Sequence, residues 1–142
     1  MTPNAPPRLR YFTPTEASVA LHRVLPRLER AARSLGTYRE LRDRLESNEP
    51  LDEDARVAIA NEVARQRELL QTAIEEINDD GVVVRSVDPP ALDFPAMRAG
   101  REVVLTWQHG ERAVAWWYVR DAGPRARQPI TDLDSGLWEW LN

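Results

Sequence analysis

The chain contains no cysteine. It therefore has no disulfide framework, no thiol nucleophile and no thiolate metal ligand. It contains no lysine either, since all 19 basic residues are arginine. That removes the Schiff-base, P-loop and general-base lysines together, and every fixed cation is a planar fork that does not titrate. Histidine is nearly absent. His22 and His109 cannot build a multi-histidine site between them, so neither a metal nor a cofactor is expected. No apolar run approaches the ~20 residues of a membrane span. The first ten residues, MTPNAPPRLR, lack the apolar centre of a secretory signal. These absences give a cytoplasmic expectation with no membrane partner. A net charge of -4 argues against nucleic acid as a partner.

What is present suits one globular domain over residues 1–142: a hydrophobic fraction of 42% and a charged fraction of 30%. Residues 1–12 are proline-rich and aperiodic and read as a loose N-terminal tail. Thr13-Pro14-Thr15-Glu16 is a helix start. Thr13 caps, Pro14 suits the first helical position, and Glu16 completes a capping box. Leu21, Val24, Leu28, Ala31, Leu35, Tyr38, Leu41 and Leu45 then form one helical stripe. Pro26 interrupts it and predicts a kink. After Ser47-Asn48-Glu49-Pro50, acids at Asp52, Glu53 and Asp54 favour a second helix start. Its stripe is Ile59, Val63, Gln66, Leu70, Ala73 and Ile77, and Gly81 is the stop. A short loop between long helices predicts an antiparallel hairpin over residues 13–80. From Arg8 to Glu46 nine Arg face five acids, a net of +4; from Leu51 to Asp80 three Arg face nine acids, a net of -6. Charge pairs across the hairpin are the expected use of that asymmetry. Glu75, Glu76, Asp79 and Asp80 could hold a divalent cation, but a solvated acidic helix end is the favoured reading.

Beyond Gly81 the period changes to that of strands. Val82–Val87 is β-branched and ends at Pro89-Pro90. Glu102–Gln108 and Ala113–Val119 predict a hairpin around a Gly110-Glu111 type II′ turn. That register opposes Trp107 with Val114, Leu105 with Trp116 and Val103 with Tyr118. It puts Trp107, Trp116 and Tyr118 on one face as an aromatic wall, and turns Trp117 to the other face, as a second core or a partner surface. Residues 81–130 are thus a sheet with Arg-bearing loops. The tail over residues 131–142 carries Leu133, Leu137, Trp138, Trp140 and Leu141 and is too apolar not to dock.

The candidate site lies in those loops. Asp93 to Glu102 reads as a loop entering a strand, with Arg98 and Arg101 placed either to clamp a carboxylate or phosphate, or to pair with nearby acids. Asp121 to Gln128, with Arg125 and Arg127, leaves the third strand. In an antiparallel hairpin the start of one strand lies beside the end of the next, so the two loops are expected to meet. The candidate ligand-binding residues are Asp93, Arg98, Arg101, Glu102, Asp121, Arg125, Arg127 and Gln128. No Ser-His-Asp order, glycine-rich phosphate loop or metal spacing is present.

A set of residues across most of the chain resembles a bacterial family known as domain of unknown function 2203. The set is Tyr11-Phe12-Thr13, Glu16-Ala17, Asp93-Phe94-Pro95-Ala96, Arg98, Gly100-Arg101-Glu102-Val103, Leu105, Trp107, Gly110-Glu111, Trp117, Asp121-Ala122-Gly123 and Arg127-Gln128-Pro129. The resemblance implies a small helix-plus-sheet protein and no particular activity. The family pattern carries Cys where this chain has Thr106, His where it has Tyr118, and Gly where it has Ala126.

The sequence therefore predicts an α+β fold, a long antiparallel helical hairpin kinked at Pro26 and packed on a small antiparallel sheet. The leading functional reading is a non-enzymatic module, a homodimer with an Arg-lined pocket for a small anionic ligand. A second is a small hydrolase or lyase with Asp93 or Asp121 as base and Arg101 and Arg127 as clamp. A third is a coiled-coil-like scaffold capped by the sheet.

Overall fold

The structure is a computed structural model, and it describes residues 10–133 and 136–139. Helices α1 (Pro14–Glu46) and α2 (Glu53–Asp79) form an antiparallel hairpin. The capping box forms as read. Thr13 Oγ1 accepts from Glu16 N at 3.2 Å, and Glu16 Oε1 accepts from Thr13 N at 2.9 Å. Asp52 caps α2 by accepting from Ala55 N at 2.7 Å. Helix α1 is continuous through Pro26. The charge asymmetry is used where the helices meet the sheet: Arg27 pairs with Asp80 at 2.8 Å and Glu76 at 3.6 Å, and Arg23 with Asp80 at 3.6 Å. These partly exposed pairs fix which helix faces which more than they add stability.

Six strands follow: β1 (Val83–Val87), β2 (Pro90–Arg98), β3 (Arg101–Gln108), β4 (Trp116–Tyr118), β5 (Gln128–Pro129) and β6 (Trp138–Glu139). Five are ordered β1-β2-β3-β4-β5, all neighbours antiparallel, and β6 pairs with β2. The fold is α+β, with the hairpin on one face of the sheet. Leu21, Val24, Leu28 and Ile77 from the helices meet Val82, Leu92, Phe94, Ala96, Val103, Leu105 and Trp107 from the sheet.

Three sequence expectations change. The stretch read as a loop before Glu102 contains strand β2, pairing with β3 from Ala91↔Gln108 to Arg98↔Arg101. Proline at positions 90 and 95 hid it, because proline lacks the N–H that a central strand needs. Pro95 is tolerated for a local reason. Its carbonyl points away from β3 and accepts from Phe12 N at 2.8 Å, so its missing N–H lies on that same side and costs the β2–β3 ladder nothing. Phe12, assigned to the loose tail, is therefore fully buried, edge-on to Phe94 at 5.4 Å. The assigned tail residues 1–9 lie outside the described residues.

The third change is a register shift. The turn after β3 places His109 and Gly110 at its centre, closed by Glu111 N donating to Gln108 O at 3.1 Å, with Gly110 at φ 97. The chain then runs irregularly to Trp116, and the pairs are Thr106↔Trp116, Leu105↔Trp117 and Val104↔Tyr118. This is one residue away from the expected register, and a one-residue slip sends each side chain to the opposite face. Trp117 joins the helix-side core, while Trp116 and Tyr118 turn to the outer face. The aromatic wall of Trp107, Trp116 and Tyr118 does not form.

Candidate functional site

Strands β2 and β3 are joined by the two-residue turn Ala99-Gly100, with φ 52 and 76. Positive φ at both positions is the hairpin turn that matches strand twist, and it sets Arg98 directly opposite Arg101. Strand β4 ends beside this turn, so the short 3₁₀ turn Arg120–Ala122 arrives there too. Between them is a cleft of about 560 Å³ whose lining includes Arg98, Arg101, Glu102, Trp117, Arg120 and Asp121. Val103 and Val119 complete its apolar floor. Arg120 donates to Glu102 Oε1 at 3.1 Å. Arg101 is exposed and forms no ion pair with the described residues.

Arg98 is committed to the structure. Its guanidinium lies over Trp117 at 4.7 Å and over Trp138 at 5.5 Å, and donates to Asp132 Oδ2. Trp138 Nε1 donates to the other oxygen of Asp132 at 3.2 Å, and the two indoles meet edge-on at 5.9 Å. Strand β6 closes the arrangement by pairing Arg98 with Trp138, and Ala99 N donates to Leu137 O at 2.9 Å. The apolar tail is thus held at residues 136–139. Residues 134, 135 and 140–142 of the tail lie outside the described residues.

Arg127 is committed in the same way elsewhere. It lies over Trp116 at 4.4 Å and donates to Glu111 Oε2 at 2.9 Å. Glu111 in turn organises the β3–β4 connection. It accepts from Gln108 N at 2.6 Å and, through its carbonyl, from Trp107 Nε1 at 2.8 Å. This set stands at the far end of β3 from Arg101, ~23 Å along a strand that rises ~3.3 Å per residue. Arg125 and Gln128 are exposed nearby, Gln128 in β5 opposite Trp117.

Asp93 lies in neither place. It points to the outer face of the sheet, 8% exposed. It accepts from Thr106 Oγ1 at 2.8 Å, Tyr118 Oη at 2.8 Å and Arg85 Nε at 3.2 Å, and Arg85 also donates to Thr106 at 3.1 Å. A buried carboxylate is tolerated because both oxygens accept hydrogen bonds and a cation is adjacent. Burial, then the hydrogen bond to Asp93 and its charge, push the Tyr118 hydroxyl up to about 12. Thr106 and Tyr118 are both partners of Asp93.

Of the residues singled out by sequence, the structure brings Arg98, Arg101, Glu102 and Asp121 to one cleft. It separates Asp93, Arg125, Arg127 and Gln128 from it. Arg85, Arg120, Asp132 and Trp138 were missed. Arg85 sits at a bulge between Val84 and Ser86, which breaks the alternation that would have assigned its face. Asp132 and Trp138 had a signal, an apolar tail with an acid before it, but no sequence rule says where such a tail lands. Among the described residues, no group of three or more His, Cys, Asp or Glu is arranged to hold a metal. No helix among them is long and apolar enough to cross a membrane.

A helical hairpin on an antiparallel sheet, with a cleft at the β2–β3 turn, defines a small α+β protein. The family model described as uncharacterized conserved protein (DUF2203) matches residues 10–130, and the chain belongs to that family. Neither the curated proteins nor the solved structures compared with the chain give a match.

Proposed function

We propose that this protein is a self-associating, non-enzymatic binding module that holds a small, singly charged anion with an apolar body in the cleft at the β2–β3 turn. The observation that carries this reading is Arg101: an exposed guanidinium without an ion pair among the described residues, beside an apolar floor of Val103, Trp117 and Val119. A carboxylate matches the planar fork of Arg101 bidentately, and the floor takes the apolar part. Glu102 and Asp121 at the same cleft disfavour a second negative charge, so a monocarboxylate fits better than phosphate. The hydrolase or lyase reading has less support. Its clamp is split between Arg101 in the cleft and Arg127 at Glu111, and Asp93 is buried and already accepts from three donors.

Titration with phenylacetate, followed by tryptophan fluorescence, tests the reading. Trp117 lines the cleft, so binding changes its emission, and Arg101→Ala abolishes the change. Inorganic phosphate binds more weakly than phenylacetate. No response to phenylacetate, or one untouched by Arg101→Ala, contradicts the proposal.

A further inference from the structure

Both helices carry an apolar stripe along their whole length, but apart from Ile59 the buried positions lie toward the end beside the sheet. The buried residues of α1 stop at Ala31. Beyond it Leu35, Tyr38, Leu41 and Leu45 are half-buried, as are Val63 and Leu70 on α2. Two helices that face only one another cannot close such a stripe; bundles do so with further helices. Along one face of this stretch runs a groove of about 860 Å³, lined by Arg30, Arg33 and Thr37 from α1 and by Glu68, Leu69 and Thr72 from α2. Leu69 is 45% exposed there. Arg30, Arg33 and Glu68 form no ion pair among the described residues, although other charges of the hairpin do.

We propose that this groove is the interface with a second copy of the chain, giving a four-helix bundle whose two-fold axis runs along the hairpin. This assigns the surface for the self-association in the functional reading above and rests on that part of it, not on the cleft. Charge selects both the occupant and the geometry. Helix α1 carries seven Arg against five acids, a net of +2, and α2 carries three Arg against seven acids, a net of -4. Two hairpins stacked face to face by a two-fold axis across the helices set α1 on α1 and α2 on α2, like charge on like. An axis along the helices sets α1 of each copy on α2 of the other and keeps residues at the same height. Arg30, Arg33 and Glu68 line the same groove, from α1 and α2 respectively. In this arrangement Arg30 and Arg33 therefore meet Glu68 of the partner subunit, and Leu69 is removed from water. The area is adequate. From Arg30 to Glu46 the hairpin runs ~24 Å at 1.5 Å per residue, and two helices ~10 Å wide give ~480 Å² per copy, or ~1,000 Å² in all, where specific interfaces begin.

The test is a charge swap read by light scattering at micromolar concentration, with circular dichroism confirming helicity. The wild-type chain is a dimer. Arg30→Glu with Arg33→Glu weakens it by roughly tenfold or more, as does Glu68→Arg, because each change turns attraction into repulsion at both symmetric contacts. Mixing the two variants restores a dimer containing one of each, since only that combination sets opposite charges together. Leu69→Asp yields monomer. A monomeric wild-type chain overturns the self-association itself. A wild-type dimer indifferent to both reversals overturns this interface alone, and the phenylacetate titration then still judges the cleft.

Discussion

Trp116 and Trp117 are neighbours in β4, and each lies under an arginine held by a carboxylate: Arg127 and Glu111 on the outer face, Arg98 and Asp132 on the helix side. The chemistry is the same on both faces; the surroundings are not. Arg127 fastens the β3–β4 connection to the start of β5. Arg98 fastens β6 to β2, and its fastening leaves a cleft into which Arg101, one turn away, projects without an ion pair among the described residues. An arginine stacked on tryptophan is therefore no mark of a ligand site by itself. The proposed site rests instead on the neighbouring Arg101, which has no ion pair among the described residues.

Breaking the two sets separates them. Arg98→Ala removes the ion pair with Asp132 and two cation–π contacts. About 3 kcal/mol of stability should be lost, the less-than-full burial keeping it at the low end for a broken ion pair. Urea denaturation measures the loss, and faster hydrogen exchange at Ala99 reports release of the Leu137 contact. Arg127→Ala removes one ring contact and one pair, at about 1–2 kcal/mol, and leaves phenylacetate binding unchanged. An equal loss of binding in both variants breaks the distinction between the two faces.

Tyr118 sharpens the comparison on the outer face. Its folded-state pKa of about 12 lies above the ordinary 10.0, so the folded chain holds the phenolic proton more tightly. That contribution is complete below pH 10 and is lost as pH rises from 10 toward 12. Tyr118→Phe should cost about 1 kcal/mol at neutral pH by removing the hydrogen bond to Asp93, and should flatten the alkaline fall in stability. Alkaline denaturation curves of both proteins give the answer. An unchanged alkaline limb means that Tyr118 does not carry it.

Much of the architecture was legible because local chemistry dictates it: the Thr13 capping box, the two stripes, and the change of period at Gly81. The convergence of Arg98, Arg101, Glu102 and Asp121 was legible too, since antiparallel strands bring those ends together whatever the register. The register was not, because it hangs on one residue in the turn. Glu111 ties itself to Gln108, Trp107 and Arg127, lengthens the connection, and so decides which face each of Trp116, Trp117 and Tyr118 takes. Nor was β2, whose Pro95 is excused by a contact from Phe12, far away in sequence. Asp93 was misplaced for the same reason: its three partners come from β1, β3 and β4, and no spacing rule joins them.

The most direct test of the account is Arg101→Ala, compared with wild type for both stability and phenylacetate binding. Exposed and without a described ion pair, Arg101 should contribute less than about 0.5 kcal/mol to folding. The account predicts an unchanged urea midpoint together with loss of the Trp117-dependent fluorescence response. A lowered midpoint with binding retained would contradict it, and would make Arg101 another structural arginine like Arg98.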